Sequence, residues 1–188
     1  MPHFDRQKWD AKYAAAEEVP REPSAVLRSL EKLLPRRGRA LDVAGGAGRN
    51  AIWLAKQGLD VTIADVSPRG LALVCERAQQ AGATVTPLCT DLEDLPFPAG
   101  PWDLILSVCY LWRPLFAVYP QVLSPGGVLI VIQPTKKNLE RYPKPPAGFL
   151  LNDGELPGLM SGLDVVHYQE GWQADGRHDA VMVARKSG

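Results

Sequence analysis

Three acids and a glycine turn hold most of the chemistry this sequence can do. Asp42 lies in an apolar run (Ala40, Leu41, Val43) that leads directly into Gly45, Gly46 and Gly48. Glycine suits such a turn because the backbone bends sharply and a ligand lies against it with no room for a Cβ. A second apolar run, Asp60 to Ala64, ends in Asp65, and a third, Thr84 to Cys89, ends in Thr90 and Asp91. An acid closing the second strand can accept both hydroxyls of an adenosine ribose. Strand, glycine turn, helix, strand and terminal acid make half of a nucleoside-binding sheet.

The elements that must hold these groups follow from periodicity and punctuation. The first strand is expected at 39–44 and its helix at 48–57, closed by Gly58. The second strand spans 60–65. Ser67-Pro68 opens a second helix, with proline in its first turn, and Gly82 ends it. Trp102 to Val108 is almost wholly apolar, as a strand buried on both faces should be. A helix is expected over Pro114 to Leu123, then a turn at Ser124 to Gly127 and a buried strand at Val128 to Ile132. Gln133 to Gly148 holds four prolines and no period, which predicts a long loop of the kind that forms lids. Asn152 and Glu155 have capping-box spacing. Leu163 to Gln169 and Ala180 to Arg185 are expected to form an antiparallel pair. Residues 1–38 form a helical extension outside the sheet. Trp9 and Tyr13 share one face there, and Ser24 caps a short apolar helix. The sequence therefore predicts one α/β domain over 39–188. It is a Rossmann-like, doubly wound sheet of seven mostly parallel strands with an antiparallel C-terminal strand, helices on both faces and a helical N-terminal extension covering the cofactor site.

Bulk properties narrow the classes. The chain has 188 residues, with 21 Lys plus Arg against 21 Asp plus Glu. This zero net charge speaks against nucleic acid as the main partner. No run approaches the roughly 18 apolar residues of a membrane span, and the first ten residues lack the pattern of a signal peptide. Cys75, Cys89 and Cys109 suit neither a disulfide framework nor a zinc site. No metal is expected, and a cytoplasmic enzyme is the plain reading.

Two ligands compete for the glycine turn. Gly46 to Ala51 fits the dinucleotide fingerprint G-x-G-x-x-G/A. Against a nicotinamide cofactor stand the 38 residues before the first strand, the third acid Asp91, the Pro-Gly-Gly turn and the closing strand pair. No second domain is large enough to hold a dehydrogenase substrate. With the motifs LDVAGGAG (41–48), VTIADVS (61–67), CTDLEDLPF (89–97), WDLILSVCYL (102–111) and LSPGGVLIV (123–131), the chain resembles the class I S-adenosylmethionine-dependent methyltransferases. AGGAGRNAIWLA and the Trp9–Tyr13 pair resemble the small bacterial tellurite-resistance and thiopurine methyltransferase group. Ala44 stands where the family usually has glycine.

The resemblance implies S-adenosylmethionine as cofactor and S-adenosylhomocysteine as product. It implies that the backbone of Ala44, Gly45, Gly46 and Gly48 holds the methionine part, with Asp42 ordering the loop or acting through water. Asp65 would take the ribose hydroxyls, with Ser67 beside it and Val66 packed on the adenine. Asp91 would meet the adenine amine, and Leu92 would cover the ring. The Ser107 backbone would accept from the methionine ammonium. Arg49 and Tyr13 would reach the carboxylate, with Asn50 and Trp9 completing the set. Tyr110 and Trp112 could face the sulfonium as aromatic surfaces, and Arg113 could fix an anionic acceptor. Cys109 is expected to behave as a small buried apolar residue, and His167 and His178 as structural or exposed groups.

Missing motifs limit the acceptor. No N/D-P-P-Y/F follows the fourth strand and no Pro-Cys pair is present, which disfavours base-amine and cytosine acceptors. A small thiol, selenol or oxyanion needs no strong general base and remains. The rival of another class is a non-catalytic cofactor-binding module that serves a protein partner.

Overall fold

Successive residues of the central strands fall alternately into two apolar clusters, as the period of a strand buried on both faces requires. Leu41, Val43, Ile105, Leu129 and Val131 belong to one cluster. Ala40, Leu104, Leu106, Ile130 and Ile132 belong to the other. In the computed structural model, which describes residues 2–14, 19–94 and 96–188, these strands are the middle of one seven-stranded sheet.

The elements are β1 (Arg39–Val43), β2 (Asp60–Asp65), β3 (Val85–Cys89), β4 (Trp102–Val108), β5 (Leu123–Pro134), β6 (Asp164–Trp172) and β7 (His178–Arg185). The helices are α1 (Pro2–Ala14), α2 (Ala25–Ser29), α3 (Arg49–Lys56), α4 (Pro68–Gln80), α5 (Leu115–Val122) and α6 (Glu155–Gly158). The strand order is β3-β2-β1-β4-β5-β7-β6. β7 alone runs against its neighbours, β5 on one side and β6 on the other. The order reverses between β1 and β4, the switch point where a doubly wound sheet opens its ligand crevice.

Most boundaries agree with the pattern in the sequence to within a residue or two. β5 is longer than expected. Leu123 already pairs with Trp102, and the register then shifts so that Val128 meets Leu104. The Pro-Gly-Gly turn is thus absorbed into an irregular strand start. Asn152 and Glu155 make one half of the expected capping box, the Asn152 amide donating to Glu155 Oε2 at 2.7 Å, but Gly154, not Asn152, precedes the helix as its N-cap. The loop after β5 carries two short 3-10 turns, at Lys136–Glu140 and Ala147–Phe149.

The N-terminal segment is tied to the domain by hydrogen bonds at Asp10 and Ser24 and at the Val19 and Pro20 carbonyls, which accept from Arg77. Ser24 Oγ caps α2 by accepting from the Leu27 amide at 3.4 Å. The Ser24 amide donates to Asn50 Oδ1 at 3.0 Å. Asp10 accepts from the Arg69 amide at 3.2 Å and from the Ser67 hydroxyl, which clamps α1 to the start of α4. Among the described residues no helix is long and apolar enough to cross a membrane.

Candidate functional site

The glycine turn bends through the left-handed region three times. Gly46 and Gly48 have φ of 59° and 77°, and Ala44 has 52°. For a residue with a Cβ this conformation costs about 1–2 kcal/mol, so alanine at 44 is strained where glycine would not be. The glycines serve different purposes. A Cβ on Gly45 would strike Ile63 and Asp42, and one on Gly48 would strike Val74. A Cβ on Gly46 would run into the Tyr13 hydroxyl. Gly46 therefore leaves room for a group lying over the turn, whereas Gly48 serves packing against α4 and does not line the cavity.

A cavity of about 530 Å³ opens above this turn. The sequence-predicted residues that line it are Trp9, Tyr13, Asp42, Ala44, Gly45, Gly46, Arg49, Asn50, Asp65, Val66, Asp91, Leu92 and Tyr110. Asp65 is 5% exposed. It accepts from the Gly46 amide at 2.8 Å through Oδ2 and from the Ser67 amide at 2.9 Å through Oδ1. Burial raises its pKa, and those amide bonds pull the other way. Each carboxylate oxygen holds more than one acceptor site, so ribose hydroxyls can still be taken. Asp91 Oδ1 accepts from the Glu93 amide at 2.9 Å. Asp42 is 1% exposed and its Oδ2 has no partner. Burial first, and then the charge of Asp65, push its pKa up to about 7. Tyr13 stacks on Trp9 with centroids 5.9 Å apart. Burial and the nearby Asp65 and Asp42 raise its phenol well above the ordinary range, so it stays a proton donor.

Several expectations need correction. Ser67 is fully buried and caps α4, its Oγ accepting from the Gly70 amide at 3.0 Å; it does not line the cavity. Ser107 lies inside the ladder between Val43 and Val131, and the cavity begins one residue later, at Val108. Trp112 packs against the core cluster on one side of the sheet. Arg113 grips Glu155 with two bonds, at 2.5 and 2.8 Å, and turns to the Leu150 carbonyl. Neither Trp112 nor Arg113 faces the cavity, because the chain turns outward into α5 there. Cys109 is no buried apolar residue. It has φ of 57°, is exposed, and lines the cavity.

Sequence reasoning missed Gln133 and Arg177, which line the cavity beside Cys109, and Lys8 and Lys12 at its mouth; Pro145, Pro146 and Phe149, from the expected loop, line it too. Arg177 enters because β7 runs antiparallel, so the β6–β7 turn lies at the carboxyl end of β5. Nothing local in the sequence marks that placement. Among the described residues no cluster of His, Cys, Asp and Glu could hold a metal ion.

Comparison with known proteins agrees with this geometry. Residues 40–127 match the methyltransferase-domain family. Over 119 residues the chain is 35% identical to demethylmenaquinone methyltransferase of Thermus thermophilus, covering 58% of this chain and 50% of that one. Over 123 residues it is 32% identical to ubiquinone biosynthesis O-methyltransferase of Cereibacter sphaeroides, covering 62% and 48%. The match thus spans about half the length of these curated relatives. In structure it is similar to TehB from Haemophilus influenzae, with a TM-score of 0.69, 21% identity, and 86% of this chain and 61% of that one covered. It is also similar to the N-methyltransferase NodS from Bradyrhizobium japonicum in complex with S-adenosylhomocysteine, with a TM-score of 0.73, 17% identity, and 97% and 98% covered.

Sheet order, glycine turn and strand-end acids are thus those of the fold shared with TehB and NodS, and residues 40–127 carry the methyltransferase-domain match. The residues present would fit S-adenosylmethionine: two acids that could take the ribose and the adenine amine, Val66 and Leu92 that could cover the ring, and a buried carboxylate with one unpartnered oxygen for a cation.

Proposed function

We propose that this protein moves a methyl group from S-adenosylmethionine to a small thiol, selenol or oxyanion. One observation carries the reading. The glycine turn with Asp65 and Asp91, and the wall formed by the ends of β4 and β5, open into the same cavity. Cofactor and acceptor can therefore meet away from bulk water. A sulfonium supplies an already activated methyl group, so the protein's task is placement. Proximity and orientation can remove roughly 7–11 kcal/mol of a barrier at best.

The chain's own groups fall into three roles. Asp65 and Asp91 take the nucleoside, and Tyr13 and Arg49 take the amino-acid carboxylate. Trp9, Pro145, Pro146 and Phe149 exclude water from the mouth. Asp42 offers a carboxylate to the positive end of the cofactor. A relative named for O-methylation in ubiquinone biosynthesis supports an oxygen acceptor.

Calorimetry with S-adenosylhomocysteine, followed by its formation from S-adenosylmethionine and a panel of thiols, selenols and phenols, tests the reading. We expect binding and turnover. Binding without turnover on any acceptor would favour the non-catalytic module, and tight NAD binding in place of S-adenosylhomocysteine would overturn the assignment. Asp65→Ala should weaken binding at least tenfold, since a hydrogen bond to a charged group contributes about 1.5–3 kcal/mol.

A further inference from the structure

The wall facing the glycine turn has an asymmetric charge. The carboxylates that line the cavity, Asp42, Asp65, Asp91 and Glu93, lie on the β1, β2 and β3 side. On the wall built from the ends of β4, β5 and β7, Arg177 is the one charged lining residue among those described. Around it are Cys109, Tyr110, Leu111, Gln133 and Pro134, and the apolar Pro145, Pro146 and Phe149 stand beyond.

The guanidinium is held rather than free to swing. Nη2 donates to Asp179 Oδ2 at 3.1 Å, and Nε lies 3.1 Å from Asp175 Oδ2. Asp179 is fully buried. The remaining arm, Nη1, lies 3.1 Å from Cys109 Sγ, inside the cavity. Cys109 is itself fixed, its amide donating to the Ile132 carbonyl at 2.9 Å. Gln133 adds an independent sign of a ligand. It is 1% exposed, its Nε2 donates to the Phe149 carbonyl at 2.8 Å, and its Oε1 has no partner. A buried acceptor without a partner is costly, and a donor elsewhere on a ligand, away from an ionised head, would remove that cost.

We propose that Arg177 binds the ionised head of the methyl acceptor, and that the acceptor is a small, largely apolar molecule whose nucleophile is an anion, with Gln133 open to a donor elsewhere on it. This rests on the methyltransferase reading and narrows it: the substrate class becomes aryl-sized thiolates or phenolates, and neutral amines are poor acceptors. The acceptor loses its proton to solvent on binding beside Arg177. Its sulfur or oxygen lone pair then forms the bond to the methyl carbon. The bond from that carbon to the sulfonium breaks, and its electron pair stays on sulfur. No general base is needed. The ion pair with Asp179 alone would be a structural device of the hairpin, but it does not require an arm directed into the cavity.

The charged and titratable groups facing Arg177 are Cys109 at the end of β4, Asp175 and Asp179 of the hairpin, His178 through its interaction with Asp179, and Arg49 across the cavity through Cys109. The test is a spectrophotometric titration of 4-nitrophenol bound to the complex with S-adenosylhomocysteine. An adjacent cation lowers such a pKa by about 1–3 units. We expect a fall of at least about one unit in the wild type, most of it kept in Arg177→Lys. We expect it to be lost in Arg177→Met combined with Asp179→Asn, a pair that leaves no stranded buried charge. S-adenosylhomocysteine affinity should stay within about twofold in that double variant, and kcat/KM for thiophenol should fall at least tenfold. A wild type that binds S-adenosylhomocysteine but shows no 4-nitrophenol shift, or that binds 4-nitroaniline equally well, overturns this assignment alone. A wild type that binds no S-adenosylhomocysteine overturns the methyltransferase reading, and this one with it.

Discussion

Asp42 and Ala44 show how a site stores cost at single residues. The unfolded chain releases the Asp42 proton in the ordinary carboxylate range, whereas the folded, ligand-free protein holds it to about pH 7. The folded state therefore binds the proton more tightly. Its contribution to stability is fully present below the ordinary value and is lost as pH rises through about 7. Asp42→Asn should raise the melting temperature of the ligand-free protein at pH 8, with a smaller gain at pH 5. An equal gain at both pH values would show that Asp42 is not the titrating group. Ala44, at φ of 52°, makes a simpler case. Ala44→Gly relieves strain of about 1–2 kcal/mol, partly offset by the greater freedom glycine gives the unfolded chain. A net gain near 1 kcal/mol in denaturant unfolding is expected, and a loss would mean that the alanine methyl contributes to packing.

At the scale of elements, the cavity is covered from two parts of the chain far apart in sequence. α1 brings Lys8, Trp9, Lys12 and Tyr13 to the mouth, and the segment after β5 brings Pro145, Pro146 and Phe149. The two meet where the Lys8 ammonium lies 5.5 Å from the Phe149 ring centroid. Asp10 fastens α1 by satisfying the first turn of α4, a capping role whose loss costs about 1 kcal/mol. Asp10→Ala should weaken S-adenosylhomocysteine binding severalfold and speed amide exchange in residues 2–14. Unchanged exchange would mean that other contacts hold the helix. Limited proteolysis between residues 136 and 149 should slow when S-adenosylhomocysteine is bound, and an unaltered cleavage rate would deny this loop the part of a lid. Arg113 grips Glu155 at the base of the same segment. The pair is partly exposed, so Arg113→Ala should leave cofactor affinity within about twofold and cost no more than about 1 kcal/mol.

For the whole molecule, a ligand that binds only the folded state stabilises it by mass action. S-adenosylhomocysteine at a hundred times its dissociation constant should add about 2.7 kcal/mol to unfolding, read as a raised melting temperature. NAD at the same concentration should add nothing measurable. The reverse pattern would return the chain to the dinucleotide reading that the G-x-G-x-x-A match left open.

The glycine-turn side of the cavity was legible in the sequence because it is local. Turn, acid and helix follow one another within one strand-turn-helix-strand unit, and the left-handed glycines, strand ends and caps are short-range properties of the chain. Asp65 and Asp91 needed only the sheet's alternation to be placed. The wall facing the glycine turn was not legible. Tyr110 lies near enough to the end of β4 to be found, but Trp112 and Arg113 were assigned on the assumption that the chain goes on over the cavity, and it turns into α5 instead. Arg177 and Gln133 lie far apart in sequence, in unrelated local patterns. They line one cavity because β7 runs antiparallel beside β5, which sets the hairpin tip at the carboxyl end of β5. Strand direction and register are settled by packing two apolar faces at once, a tertiary property that no local window contains.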